Sequence, residues 1–296
     1  MELRVLRYFL AVAHEQSISA AAENLHISQP TLSRQLMDME EDLGKQLFLR
    51  GNRRITLTEE GMLLKSRAEE IIDLVDKTEA ELKTEAKNIS GDIFIGAGET
   101  DAMRLFAKTA RALQAEHPGI RFHIFSGNAE EITDRLDKGL IDLGLLIDPK
   151  DTAKYEALSL PVSDTWGVLM RKDSPLSEND TIDPKDLWDL PLILSAQAAK
   201  EKSAEKLLDR KLDKLNIAAT YNLIYNASLL VEEGLGYALC LDKLVRTGEN
   251  SALCFKPLEP QQKALLTVVW KKNQVFSKAA ALFLRELSES IYNYKA

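Results

Sequence analysis

The sequence predicts a multidomain protein of mixed class, α followed by α/β. It should comprise an N-terminal helix-turn-helix with a hairpin wing, a long linker helix, and a two-lobed α/β domain. Three observations predict this. Three short helical patterns and a hairpin fill residues 1–58. A single long helical pattern spans 59–90. From residue 91 to 296, strand and helix patterns alternate, which argues for right-handed βαβ units on a mainly parallel sheet. A chain of 296 residues is long enough for two or three domains that each bury a core.

In order, residues 3–14 place Leu3, Leu6, Phe9, Leu10 and Ala13 at helical spacing. "SISAAAENL" follows as a short alanine-rich helix whose small side chains let another helix approach. "ISQPTLSRQLMDMEEDLG" is the third. Ser28 is the N-cap, Pro30 is tolerated in the first turn, Leu32, Leu36, Met39 and Leu43 form the apolar stripe, and Gly44 ends it. A Gly-Asn turn between "QLFLR" and "RITLT" predicts a hairpin with arginines at its tip. Thr58 then caps a helix with Glu59 and Glu60 in its first turn. Its Leu64, Ala68, Ile71, Val75, Thr78 and Leu82 recur four and three residues apart, the seam of a two-helix coiled coil with a second copy. "NISG", residues 88–91, is the boundary.

Beyond it come "DIFIGAG", a helix over 102–116, "IRFHIFS", a helix over 129–138 and "LIDLGLLI". A second set follows: "DTWGVLMR", "LPLILS", a helix over 200–212, "IAATYNL", a helix over 227–233 and "GYALCL". After "KPLEP" come the strand "ALLTVVWKK" and a helix over 277–294.

Composition sets the outer bounds. Apolar residues make up 45% and charged residues 28%, which excludes a disordered or fibrous chain. The start, "MELRVLRYFLAVAHEQ", lacks the features of a secretory signal, and no window approaches the apolar length of a membrane span, so a cytoplasmic protein is expected. The two cysteines, Cys240 and Cys254, fit a reducing compartment. The net charge of -8 argues against a generally basic nucleic-acid binder, but the acidity lies downstream. In residues 1–57 acids and bases cancel, and Arg34, Arg50, Arg53 and Arg54 cluster in one stretch.

Two helices joined by His26-Ile27-Ser28, the second with a polar N-terminal face, form a helix-turn-helix, whose second helix lies in the major groove of DNA. Gln29, Thr31, Ser33 and Arg34 can read base edges there, Gln favouring adenine and Arg guanine. A solvated helix face is the plainer explanation. It leaves unexplained the hairpin that follows, where Arg53 and Arg54 suit phosphate contact at the groove's edge, and the combination favours DNA.

The stretch "SISAAAENLHISQPTLSRQLMDMEEDLGKQLFLRGNRRITLTEEG" closely resembles the winged helix-turn-helix of LysR-type transcriptional regulators. The Ala-Ala of the second helix, Ser28-Gln29-Pro30, Ser33, the run from Glu40 to Leu43-Gly44, Leu47-Phe48, Arg50, Leu57-Thr58 and Gly61 all fall at that family's spacing. More weakly, "LIDLGLLI" and "VEEGLGYALCL" look like its effector domain. The family often has Pro where Asp242 stands here, a departure expected to affect only loop geometry. The resemblance implies a homodimer through linker helices, usually assembled into a dimer of dimers, and a small-molecule inducer between lobe I (about 91–160 and 264–296) and lobe II (about 161–263). The chain should cross between lobes near Leu160-Pro161 and within residues 257–263.

Ligands of open α/β folds sit outside the carboxyl ends of strands, which makes Thr100, Asp101, Ser126 and Asp148, and across the cleft Ser195 and Gln197, the candidate effector contacts. Glu99 and Asp101 flank Thr100. Two full negative charges outweigh a helix end's roughly half positive charge, so if both face the cleft the effector is neutral, cationic or zwitterionic. The alternative is that both acids are solvated caps pointing away.

Other motifs carry no chemistry. "GAGETD" lacks the third glycine of a dinucleotide fingerprint, and no acid follows the next strand to bind a ribose. "SAEK" has the Ser-x-x-Lys pattern of acyl-transfer enzymes without its companion motifs. The four histidines lack metal-ligand spacing. Cys240 and Cys254 sit among apolar strand residues, so structural burial is preferred to a redox switch.

The combined reading is a ligand-responsive regulator, not an enzyme, with no cofactor. Its expected DNA contacts are Gln29, Pro30, Thr31, Ser33, Arg34, Arg50, Arg53 and Arg54. Its expected partners are promoter DNA, a second copy and a small-molecule effector, with RNA polymerase a further candidate and no membrane. A solute-binding protein, which the two lobes alone resemble as periplasmic binding proteins do, and an α/β enzyme are both disfavoured. The first needs a signal peptide, the second a nucleophile, base or metal set.

Overall fold

The computed structural model describes residues 1–50, 54–82 and 89–295, less the side chains of Arg50 and of residues 80–82 and 293–295. It divides into two compact units, Met1–Lys83 and Thr84–Ala296.

The first unit runs α1 (Leu3–Glu15), α2 (Ile18–Asn24), α3 (Gln29–Leu43), β1 (Phe48–Arg50), β2 (Ile55–Leu57) and α4 (Glu59–Leu82). Local chemistry sets these boundaries. Ser17 and Ser28 accept from Ala20 N and Thr31 N at 3.3 and 3.4 Å, and Gly44, at φ 62°, ends α3 in the left-handed conformation. Phe9, Ala21, Leu32 and Leu36 meet in one core, where the buried alanines of α2 admit its neighbours closely. The hairpin pairs Phe48 with Leu57 and Leu49 with Thr56; its tip, Gly51, Asn52 and Arg53, lies outside the described residues. Thr58 Oγ1 donates to Gln46 O at 2.7 Å and accepts from Gly61 N at 2.9 Å, so one hydroxyl fastens the hairpin to α4. Gly61 is required here, since a Cβ would stand 2.1 Å from Leu47 O.

The coiled-coil seam needs correction. Ala68 is completely buried in the unit's own core, with Leu64 packed against it and Ile72 buried beside it. That face of α4 lies on α1, which closes Ala68 to another chain and leaves Leu64 half-buried. Ile71 and Thr78 are exposed, Val75 is half-buried, and the Leu82 side chain and Asn88 lie outside the described residues. A heptad pattern shows that a stripe is covered but not whether α1 or a second copy covers it.

The second unit runs β3 (Gly91–Ala97), α5 (Met103–Glu116), β4 (Ile120–Ser126), α6 (Ala129–Asp137), β5 (Leu143–Ile147), β6 (Tyr155–Arg171), β7 (Leu192–Ser195), α7 (Ala196–Lys200), α8 (Ser203–Leu208), β8 (Ile217–Tyr221), α9 (Ile224–Glu232), β9 (Tyr237–Leu241), β10 (Leu253–Pro257), β11 (Lys263–Lys271) and α10 (Lys278–Lys295). The strands form one mixed sheet in the order β4-β3-β5-β11-β6-β9-β7-β8, with β10 also on β6. Pairs β3/β4, β3/β5, β7/β8 and β7/β9 are parallel, whereas every pair that includes β6 or β11 is antiparallel. β6 pairs through residues 155–159 with one end of β11 and through 163–165 with the other, then joins β9 and β10. β6 and β11 therefore run through both halves of the sheet, one half closed by Phe106 and Phe283, the other by Leu187, Leu194 and Val231.

Three sequence readings differ from this. The helix expected over 200–212 is α7 and α8 with a 3-10 turn at Leu212–Lys214, because Lys202 and Asp209 take left-handed φ of 58° and 47°. The kink lets Ala198, Ala204 and Leu208 all reach one core. The helix expected from 227 starts at Ile224. β6 begins at Tyr155, well before the "DTWGVLMR" segment, and β10 (Leu253–Pro257) is a strand that the two sequence sets do not include.

Candidate functional site

In the first unit, α3 buries Leu32, Leu36 and Met39 and turns Gln29, Pro30, Thr31 and Arg34 to solvent, with Ser33 half-buried. The Thr31 hydroxyl shares a 2.7 Å hydrogen bond with that of Ser28, which ties it to the helix cap. Arg54 is exposed just before β2, while the Arg50 side chain and Arg53 lie outside the described residues. The basic residues of α1 are instead neutralised, Arg4 by Glu2 at 3.3 Å and Arg7 by Asp76 at 2.5 Å. Asp76 raises the Arg7 pKa.

Two residues add to the sequence reading. Met37 is 45% exposed one turn after Ser33, apolar surface beside the polar face. Glu40, read only as part of a spacing pattern, places Oε1 2.7 Å from Leu47 N and 3.1 Å from Phe48 N. It thereby anchors the hairpin to α3. Nothing local to Glu40 signals this, because its partners are seven and eight residues away across a turn.

In the second unit, the carboxyl ends of β3, β5 and β7 face a narrow cleft of about 90 Å³ lined by Glu99, Asn128, Trp166, Ser195, Gln197 and Tyr221, among others. An adjoining cavity of about 340 Å³ shares Ile147, Trp166, Ser195 and Gln197, and adds Asp148, Lys150, Glu201 and Lys206. The two halves of the sheet exchange helix caps across the cleft. Gln197 Oε1 accepts from Ala129 N, the first residue of α6, at 3.0 Å. In the other direction, Glu99 Oε2 accepts from Ile224 N, the first residue of α9, at 2.5 Å. Leu223, the N-cap of α9, offers no side-chain acceptor, so a residue 125 positions away supplies it. Further out, Lys150 Nζ reaches Glu201 Oε2 at 3.1 Å and Lys200 reaches Glu130 at 2.5 Å.

Of the expected contacts, Ser195 and Gln197 line both cavities, and Ser195 also caps α7 through Ala198 N at 3.4 Å. Asp148 lines only the larger; its carboxylate accepts from Leu265 N at 2.6 Å and faces Trp166 Nε1 at 3.4 Å, which fixes β11 against β5 and β6. The other three line neither cavity. Thr100 is buried, its hydroxyl donating to Asp164 and accepting from Ala102 N at 3.1 Å. Asp101 pairs with Arg104 Nε at 2.7 Å and is absent from both cavity walls. Ser126 is exposed at the end of β4, and Gly127 and Asn128 take the place expected for it. Of the two acids flanking Thr100, Glu99 enters the cleft and Asp101 points away.

Asp242 does more than shape its loop. Its Oδ1 accepts from Thr165 N at 2.9 Å and its Oδ2 pairs with Lys243 at 3.1 Å, beside buried Asp164. Burial, then the charge of Asp242, hold the Asp164 carboxyl above the ordinary carboxylate range against the opposing Thr100 hydrogen bond. Both cysteines are free, and burial pushes the Cys240 thiol up to about 12. No helix among the described residues is long and apolar enough to cross a membrane.

Residues 3–62 match the family model for the bacterial regulatory helix-turn-helix protein, lysR family, and residues 86–291 match the LysR substrate binding domain. The chain belongs to the LysR family. Like other LysR-type regulators, it is a ligand-responsive transcriptional regulator, with a DNA-binding unit and an effector-sensing domain. Among LysR-family relatives, it is 28% identical over 294 residues to a probable RuBisCO transcriptional regulator of Synechocystis sp., covering 97% of this chain and 84% of that one. It is 34% identical over 194 residues to the HTH-type transcriptional regulator BenM of Acinetobacter baylyi, covering 63% of this chain and 64% of that one. In fold it is similar to full-length CbnR complexed with its target DNA, at a TM-score of 0.77 and 22% identity over 98% of this chain and 100% of that one. Full-length BenM aligns at a TM-score of 0.55 and 25% identity over 100% of this chain and 98% of that one.

Proposed function

We propose that the protein is a cytoplasmic homodimer, assembled further into a dimer of dimers, that binds promoter DNA of pseudo-twofold symmetry and changes its grip when a metabolite enters the cleft. It performs no catalysis. The observation that carries the reading is the division of labour on α3, whose apolar stripe is locked in the core while Gln29, Pro30, Thr31 and Arg34 of its first turns face solvent. That is the geometry with which a recognition helix meets base edges, Ser33 lying at the margin and Arg50, Arg53 and Arg54 on the hairpin serving the phosphates. CbnR, described in complex with its target DNA, shares the fold and supports the docking mode.

The division into DNA-binding residues 1–58, linker 59–90 and effector domain 91–296 belongs to this proposal, with lobe I at about 91–160 and 264–296 and lobe II at about 161–263. So does a revised dimer seam. Leu63, Ile71, Leu74 and Thr78 form the exposed stripe of α4 and take over from Leu64 and Ala68. The effector acts by binding the open and closed arrangements of the lobes unequally, since only differential affinity shifts an equilibrium. Footprinting of the DNA upstream of the protein's own gene, with and without candidate metabolites, tests the whole reading. A protected region with half-sites about one helical turn or a multiple apart supports it, and no protection at low salt overturns it.

A further inference from the structure

Glu99 stands at the end of β3 and reaches across the cleft to the first backbone N–H of α9. The caps exchanged between the two halves are not equivalent. Gln197 brings a neutral amide to α6, whereas Glu99 brings a carboxylate to α9. Every other side chain lining the 90 Å³ cavity is uncharged. An anion entering there finds the N-termini of α6 and α9 already occupied and a full negative charge beside them, against which a helix end sets about half a positive charge. A cation finds the reverse, and Trp166 and Tyr221 line the same space with aromatic rings of the kind that receive alkylammonium groups. Burial, then the neighbouring Cys240 and Glu99, raise the pKa of Tyr221 on the cavity wall.

We propose that Glu99 is the specificity determinant of this cleft, a tethered anion that fills the position a carboxylate ligand would take and makes the site select a small ammonium group. This rests on reading the cleft as the effector site. Size narrows the ligand class. A dry cavity of about 150 Å³ holds benzene, so about 90 Å³ takes a head group of only a few heavy atoms. Any remaining part of a larger effector extends past Gln197 and Ser195 into the 340 Å³ cavity that shares those walls. There Lys150 and Glu201 already pair with each other at 3.1 Å.

The test is calorimetry on the full chain with two probes matched in size, ethylammonium chloride and sodium propionate, against wild type, Glu99→Gln and Glu99→Ala. Glu99→Gln keeps an acceptor for Ile224 N and removes only the charge. The expected result is that ethylammonium binds wild type in preference to propionate, and that its affinity falls by about tenfold or more in Glu99→Gln. Propionate should bind Glu99→Ala at least about tenfold more tightly than wild type, because the α9 end is then free. Equal binding of the two probes to wild type, no binding of ethylammonium, or an ethylammonium affinity unchanged in Glu99→Gln overturns the proposal. These outcomes are separable from failure of the regulatory reading, which shows as absence of a DNA footprint whatever the probes do.

Discussion

Glu40 is the residue through which the hairpin wing is held on the recognition helix, and its removal has a calculable cost. One carboxylate oxygen accepts from two backbone amides, Leu47 N at 2.7 Å and Phe48 N at 3.1 Å, whose side chains are 2% and 4% exposed in the core. Hydrogen bonds to a charged acceptor contribute about 1.5–3 kcal/mol each, and the half-burial of Glu40 places this pair toward the low end. Glu40→Ala should therefore destabilise the wing by about 2–4 kcal/mol, and Glu40→Gln, which keeps an acceptor, by about 1 kcal/mol. Hydrogen exchange on the full chain reads this locally, without assuming that two units unfold as one. Amides 47 and 48 should exchange roughly 30- to 700-fold faster in the alanine variant, the same free energy at a factor of ten per 1.4 kcal/mol. Acceleration below about threefold, or acceleration spread evenly over α1 and α3, would refute the assignment of Glu40 as the local anchor.

Other perturbations have equally definite outcomes. The raised Asp164 pKa means that the folded protein binds this proton more tightly than the unfolded chain, so stability falls as pH rises from the ordinary carboxylate range through the raised value. Asp164→Asn, which can still accept from Thr100, should flatten that slope in urea midpoints measured against pH, and an unchanged slope would assign it to other groups. Cys240 and Cys254, both shifted upward by burial, should resist a thiol reagent at neutral pH in the native protein and react once it is unfolded. Rapid native labelling at Cys240 would show that the sheet opens there. Replacing Ile71 and Leu74 by Lys should give monomers in light scattering, since both are exposed in their own unit at 37% and 41%; an intact dimer would remove that stripe from the interface.

How much of this was legible depended on the range of the signals. The α3 boundaries are written in residues that act within one turn of themselves, Ser28 at one end and Gly44 at the other, and both behave as the sequence indicates. The start of α9 is not legible in the local sequence for the opposite reason, because its cap is Glu99, 125 residues earlier. The break in the helix over 200–212 was hidden by a charged, amphipathic composition that suits one long helix as well as two short ones packed on one core. Ala68 shows the limit of periodicity, which marks a covered face without naming what covers it. Among cleft residues, topology points to the loops that line the cavities but not to which side chain of each turns inward: Glu99 rather than Asp101, Asn128 rather than Ser126. Asp242 acquires its partners Thr165 N and Lys243 only when β6 and β9 pair.

Base reading by the exposed first turns of α3 is tested by selection of binding sites from random duplexes with wild type and with Gln29→Ala at fixed salt. Wild type should select a half-site at which Gln29→Ala loses preference at one base position, at a cost of about 1–3 kcal/mol on the preferred site, with the remaining positions unchanged. Equal weakening on every sequence would contradict it and leave Gln29 a solvated residue at the end of a helix.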